Sequence, residues 1–181
     1  MHTSSEHIFL LLQDGVLPAN FLVFILAVFL IRQLSSYFIV ALMMLSCNAM
    51  ISWYQQPLMS WVTENAYMAH WKYAIWYGVL IMTHIGAILA VTRLHYVQRL
   101  TPGFSAYVMV FCYFVFSIMH AARYIEIEGF ETDYLLNAYL SGIPMINIAL
   151  IITVMFVPFI VFAQNVWVSK RNDGGFRKWS L

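Results

Sequence analysis

Five apolar stretches separated by short polar connections run through this chain of 181 residues. They are Gly15 to Ile31, Tyr37 to Tyr54, Tyr73 to Thr92, Phe104 to Ala122 and about Ser141 to Gln164. A helix needs ~20 mostly apolar residues, within a range of about 17–25, to cross the ~30 Å hydrocarbon layer of a bilayer. The last three stretches meet that length, the second meets it narrowly and the first is short. Soluble domains carry roughly 25% charged residues. Here the charged share is 9% and the hydrophobic share 62%. So little polar surface cannot cover a soluble globule, and it excludes a disordered chain, a coiled coil, a disulfide-built secreted module and a nucleic-acid-binding domain. The expected fold is all-α: a polytopic bundle of five membrane-spanning helices, with residues 1–181 forming one integral-membrane domain and no soluble domain. The alternative fuses the first two stretches into one bent helix and leaves four crossings. Five is preferred because Arg32-Gln33 and Ser35-Ser36 make a polar break, where an unpaired Arg would be costly in lipid.

The net charge of +1 says little as a total, but its distribution says much. With five spans, one side of the membrane receives Arg32, Arg93, Arg99, Lys170, Arg171, Arg177 and Lys178 with the single acid Asp173. The other receives Glu6, Asp14, Glu64, Glu126, Glu128, Glu131 and Asp133 with only Lys72 and Arg123. The balance is +6 against −5. Basic connections stay cytoplasmic, so the N-terminus is expected outside and the C-terminus inside, in a multi-pass protein of the cytoplasmic membrane. Residues 1–8 lack the basic start of a cleavable signal peptide. His7 to Gln13 reads as a short interfacial turn. The connection Gln55 to Lys72 is crowded with Trp and Tyr, which favour the headgroup level, and is expected to lie on the membrane. The C-terminal segment VSKRNDGGFRKWSL reads as a basic anchor against anionic headgroups.

Polar residues within spans are the natural candidates for function, because hydrocarbon penalises them unless they are paired. Counted from the basic end of each stretch, they fall in two layers. Asn48, His84 and Cys112 lie near mid-membrane, and His120, Arg123 and Asn147 lie about 10 Å higher at 1.5 Å per residue. In this reading Asn48 is the hydrogen-bond partner of His84, a contact that glues helices. His70, Tyr77, His84 and His95 fall on one face of the third span, where a ladder of imidazoles can pass protons or bind metal. His70 and His95 sit at the membrane edges, so only His84 is truly buried. A haem shared by His84 and His120 is disfavoured by their difference in depth. Arg123, against the charge bias, is expected to pair with Glu126 or with a partner subunit. Gly142, Pro144 and Pro158 mark a hinge or static kink in the fifth span, and Gly78, Gly86 and Ala90 offer close-approach surfaces on the third.

No metalloprotease, serine-hydrolase, paired-cysteine or phosphate-cradling motif is present, and no carboxylate lies deep in a span. Cys47 and Cys112 both sit in apolar runs, so no disulfide framework is expected. No catalytic, metal or cofactor-binding residue is therefore assigned. The first functional reading is a non-catalytic membrane protein, either a small subunit packing against other membrane subunits or copies of itself, or a component that forms or assists a pore. The alternative is a small proton- or solute-translocating carrier using the buried His and Asn residues. A haem-binding redox subunit comes third. The topology carries its own test: a reporter active only outside the cell should work when fused to the N-terminus and be silent at the C-terminus, and the opposite pattern would overturn the orientation.

Overall fold

The structure, a computed structural model, describes residues 4–31, 35–64 and 71–171. Its five α-helices are α1 (Ser4–Ile31), α2 (Ser36–Glu64), α3 (Lys72–Val97), α4 (Phe104–Ile125) and α5 (Leu136–Arg171), with no strand among the described residues. A π-helical turn, Glu126–Phe130, prolongs α4. Four helices carry enough apolar length to cross a membrane, over Ser36–Leu58, Lys72–Val97, Phe104–Phe130 and Leu136–Val157. In α1 the apolar part is the shorter Gly15–Phe29. The first two apolar stretches form two helices packed on one another, not the single bent helix of the alternative reading.

Each helix packs on its sequence neighbour, and α1 also packs on α5, so the five close into a ring with α2 touching α4 across it. Connections this short leave antiparallel packing of successive helices as the only arrangement. The centre is apolar and dense: Val23 of α1, Val40 and Met44 of α2, Val91 of α3, Met109 of α4, and Leu150 and Val154 of α5 are all fully buried. Large apolar side chains such as Phe29, Met82, Phe111 and Phe156 face outward. Apolar residues on both faces are what a lipid-facing bundle requires.

The helices outrun the apolar stretches that announce them. Residues His7 to Gln13 continue α1 instead of forming a separate turn, and α2 runs through Pro57 to Glu64, turning half of the expected outer connection into helix. The reason is that backbone hydrogen bonding does not stop where hydropathy does; an interfacial residue still gains by satisfying its amide within a helix. Helix α5 passes unbroken through Pro144 and Pro158, so neither interrupts it. The side chain of Pro158 lies outside the described residues, as do His70, Arg32 and residues 172–181. A Cβ at Gly78 or Gly86 would meet nothing within 4 Å, so these are not close-approach points. The close approach is at Gly142, where a Cβ would stand 2.6 Å from Cε of Met119 on α4.

A polar clamp closes the end of the bundle that bears Arg93 and Arg99. His95 Nδ1 lies 2.8 Å from the Val91 carbonyl one turn earlier, and His95 Nε2 lies 2.8 Å from Ser36 Oγ at the start of α2. The Gly103 N–H donates to the same Ser36 Oγ at 2.7 Å. With the proton on Nδ1 every group is satisfied: the imidazole donates to Val91, Ser36 donates to Nε2, and Gly103 donates to Ser36. One hydroxyl thus ties the start of α2 to α3 and to the connection between α3 and α4. Replacing it, Ser36→Ala, leaves two donors or acceptors at a buried helix junction unpaired. That should cost about 1–2 kcal/mol in equilibrium unfolding in mixed micelles; an unchanged midpoint would show that the clamp adds nothing.

Candidate functional site

A cavity of about 290 Å³ lies inside the ring and is walled by all five helices. From α3 and α4 come rings: Tyr77 and His84, then Tyr113, Phe116 and His120. Asn48 and Ser52 of α2 and Asn147 of α5 supply amides and a hydroxyl, while Val16 and Leu17 of α1 and Ile143 of α5 fill the rest of the wall. On α4 the contributing residues recur at helical spacing, for Tyr113, Phe116 and His120 stand three and then four apart and so share a face. That face is the buried one, with His120 and Arg123 at its far end.

The structure brings His84 and His120 together. Their rings stack, with centroids 5.3 Å apart and planes at 19°. The two-layer reading of these residues is thereby corrected. Its error lay in ending the third stretch at Thr92, whereas α3 continues to Val97. Measured from the true helix ends, His84 and His120 differ by only about three residues in height, or ~5 Å. The stacked arrangement also supplies a different argument about haem. Two axial imidazoles must aim nitrogens at one iron from opposite faces of a porphyrin, and rings stacked this closely leave no room for one between them. His120 Nδ1 is moreover engaged, 2.8 Å from the Tyr139 hydroxyl. Tyr139 in turn packs edge-on against Tyr77.

The expected bond between His84 and Asn48 does not form. Asn48 Nδ2 donates to the Met44 carbonyl at 2.9 Å, within its own helix. His84 instead sits among rings: Tyr113 edge-on at 5.2 Å, Phe116 at 5.2 Å and His120. Its Nδ1 is buried and turned back to the Leu80 carbonyl one turn earlier. The buried Tyr113 hydroxyl lies against the Cys47 thiol. Buried polar atoms without a close oxygen or nitrogen partner also occur away from the cavity wall, at Asn20, Tyr37 and Arg123. The ladder of imidazoles is not continuous: His95 belongs to the clamp at the other end of α3.

Above the cavity lies a second hollow of about 390 Å³, sharing Tyr77, Tyr139 and Leu140 as a common wall. Its floor is an ion-pair knot. Arg123 Nη1 donates to Glu126 at 2.5 Å and Nη2 to Asp133 at 2.6 Å, while the Leu135 N–H donates to the second Glu126 oxygen at 2.6 Å. Arg123 and Glu126 are buried. The π turn sets Glu126 and Asp133 on the same guanidinium, and the chain reverses at Glu131, whose φ of 50° is left-handed. Arg123 thus finds its partners within its own chain, Glu126 among them.

In the fifth helix Gly142 receives Met119, and Pro144 lines the cavity. Proline has no N–H to give the carbonyl four residues earlier, so the Leu140 carbonyl, at the wall between the two hollows, loses its helical donor. Sequence reasoning missed Tyr113 and Tyr139. Tyr113 lies within an apolar stretch and Tyr139 just before one. The three- and four-residue spacing that links Tyr113 to His120 was the available signal. Among the described residues no three His, Cys, Asp or Glu side chains group as a metal set. Compared with models of known protein families, with curated proteins and with solved structures, the chain finds no match.

The knot predicts an order of severity. Removing the buried carboxylate with Glu126→Ala strands a buried guanidinium and frees the Leu135 amide. Asp133, whose side chain is 73% exposed, leaves the pair of Arg123 and Glu126 in place. In thermal unfolding of the detergent-solubilised protein, Glu126→Ala should lower the midpoint at least twice as far as Asp133→Ala; equal effects would place the stabilisation elsewhere.

Proposed function

We propose that this chain is a small membrane-embedded carrier that binds an uncharged solute in the cavity between its five helices. The observation that carries this reading is the cavity itself, walled by every helix and lined by the rings of His84 and His120 and the amides of Asn48 and Asn147. Neither a subunit role nor a pore calls for such a chamber. A pore would need a path past Met44, Val91, Met109, Leu150 and Val154, which fill the bundle between the cavity and the basic end. A site near mid-bundle with a hollow on one side only has the form of a carrier resting open to that side.

In the same reading α1 is a fifth crossing, because its packing on α2 and α5 closes the chamber and its connection to α2 meets the Arg93 and Arg99 end through Ser36. The acidic end, with Glu126, Glu128, Glu131 and Asp133, then faces outward and the basic end faces the cytoplasm. His84, His120, Asn48 and Asn147 are the binding residues, and Arg123 holds the mouth in shape. No group that would perform covalent chemistry is assigned.

Cysteine accessibility tests this directly. With Cys47 and Cys112 both replaced by Ala, Ile143→Cys places a thiol on the cavity wall. A membrane-impermeant methanethiosulfonate should modify it at least ten times faster from the outer face of right-side-out vesicles than from the cytoplasmic face of inverted ones. Equal rates from both faces would mean a pore, and no reaction from either would mean a sealed void; each would overturn the reading.

A further inference from the structure

We infer that the cavity takes a neutral, planar heterocycle of about two fused rings, bearing hydrogen-bonding groups on its edge: a purine-like base. The inference rests on the carrier reading above and names its substrate class. Size comes first. An apolar cavity of ~150 Å³ accepts benzene, so about 290 Å³ matches roughly twice that ring area.

Charge comes second. No Asp, Glu, Lys or Arg lines the cavity, and the nearby guanidinium of Arg123 is already committed to Glu126 and Asp133. A charged solute would therefore be stripped of water without receiving a counter-charge, which is prohibitive in a low-dielectric interior. Shape comes third. The α3 and α4 wall is built of rings, with His84, Tyr113, Phe116 and His120 in mutual contact. A flat π-system stacks on such a wall, and every base has a π-face to offer.

Hydrogen bonding decides between a heterocycle and a plain hydrocarbon ring. Asn48, Ser52, Asn147 and the His84 ring line the chamber. Asn48 commits only one amide hydrogen, to Met44, and Asn147 makes no hydrogen bond among the described residues. Neutral polar groups from α2, α3 and α5 therefore face one chamber. An amide presents a donor and an acceptor side by side, the pattern by which Asn reads the edge of adenine. An apolar ligand would strip these groups of water and leave them unpaired, which is costly. A planar base with donors and acceptors on its rim satisfies them together. Such a solute also suits a carrier, because its polar edge slows unaided passage through hydrocarbon.

The test uses 2-aminopurine, a fluorescent base that is neutral at pH 7 and loses emission when stacked on a ring. Titrated against the full-length protein in detergent, it should be quenched saturably with one site per chain. Adenine and hypoxanthine should displace it, and neither naphthalene nor 2-naphthoate should. Asn147→Leu and His84→Phe should each weaken binding at least fivefold. Asn147→Leu should do so with the thermal midpoint of the unliganded protein unchanged or raised, since the Asn147 amide makes no hydrogen bond among the described residues. A fall of that midpoint with binding intact would make the amide a structural group and overturn its assignment. Displacement by naphthalene, or no saturable quenching while Ile143→Cys still reacts from outside, would overturn the heterocycle and leave the carrier. Loss of both signals would overturn both.

Discussion

Glu126 is the residue on which the acidic end of this bundle depends. Its carboxylate accepts from Arg123 with one oxygen and from the Leu135 amide with the other, so a single side chain joins the end of α4 to the start of α5. The constraint behind it is general. Where water is scarce, every donor needs an acceptor within the protein. Arg123 stands on the same face of α4 as His120, and neutralising it locally lets that face carry a charge next to a chamber that has none. The π turn is the local device that achieves this, because its wider winding brings residues on both sides of it onto one guanidinium.

The two ends of the bundle solve the same problem differently. At the basic end the unit is neutral, a hydroxyl and an imidazole passing hydrogen bonds between two connections. At the acidic end it is ionic. The neutral clamp is complete, with each atom paired. The cavity between the two ends is lined by neutral groups, the amides of Asn48 and Asn147 and the rings of His84 and His120. Elsewhere in the molecule a polar group in a helix bonds back to its own turn, as Thr83 does to Val79, Thr92 to Ile88 and Thr153 to Ala149. Set against that pattern, Asn147 is a polar residue of the chamber wall that makes no hydrogen bond among the described residues.

The helices and the charge asymmetry were legible in the sequence because both depend on long runs of residues. Every apolar stretch became a helix, and Arg123 found Glu126 three residues away. Depth was not legible. The edge of an apolar stretch marks where hydrocarbon stops, whereas the helix continues for as long as its amides can bond, as α3 does from Thr92 to Val97. Five residues of error on one helix were enough to separate His84 from His120 on paper. Side-chain direction was the second loss. Asn48 lies on the cavity, but its amide turns back to Met44, a choice made by local geometry. Tyr139 reaches His120 only because the π turn fixes where α5 begins, and no periodicity in the sequence announces that.

The fully buried layer of Met44, Val91, Met109, Leu150 and Val154 has an electrical meaning. On α3 it occupies part of the eleven residues from His84 to His95, about 16 Å at 1.5 Å per residue. In the carrier proposed above, with the bundle across a membrane and the chamber open at its acidic end, most of the voltage would fall over this layer. The field there is about twice what the same potential produces over ~30 Å of hydrocarbon. A monovalent ion passing the layer would exchange ~2.3 kcal/mol with the membrane for each 100 mV. A neutral occupant exchanges nothing. In that proposal its movement would be driven by its own gradient alone, and polarising the membrane would not concentrate it.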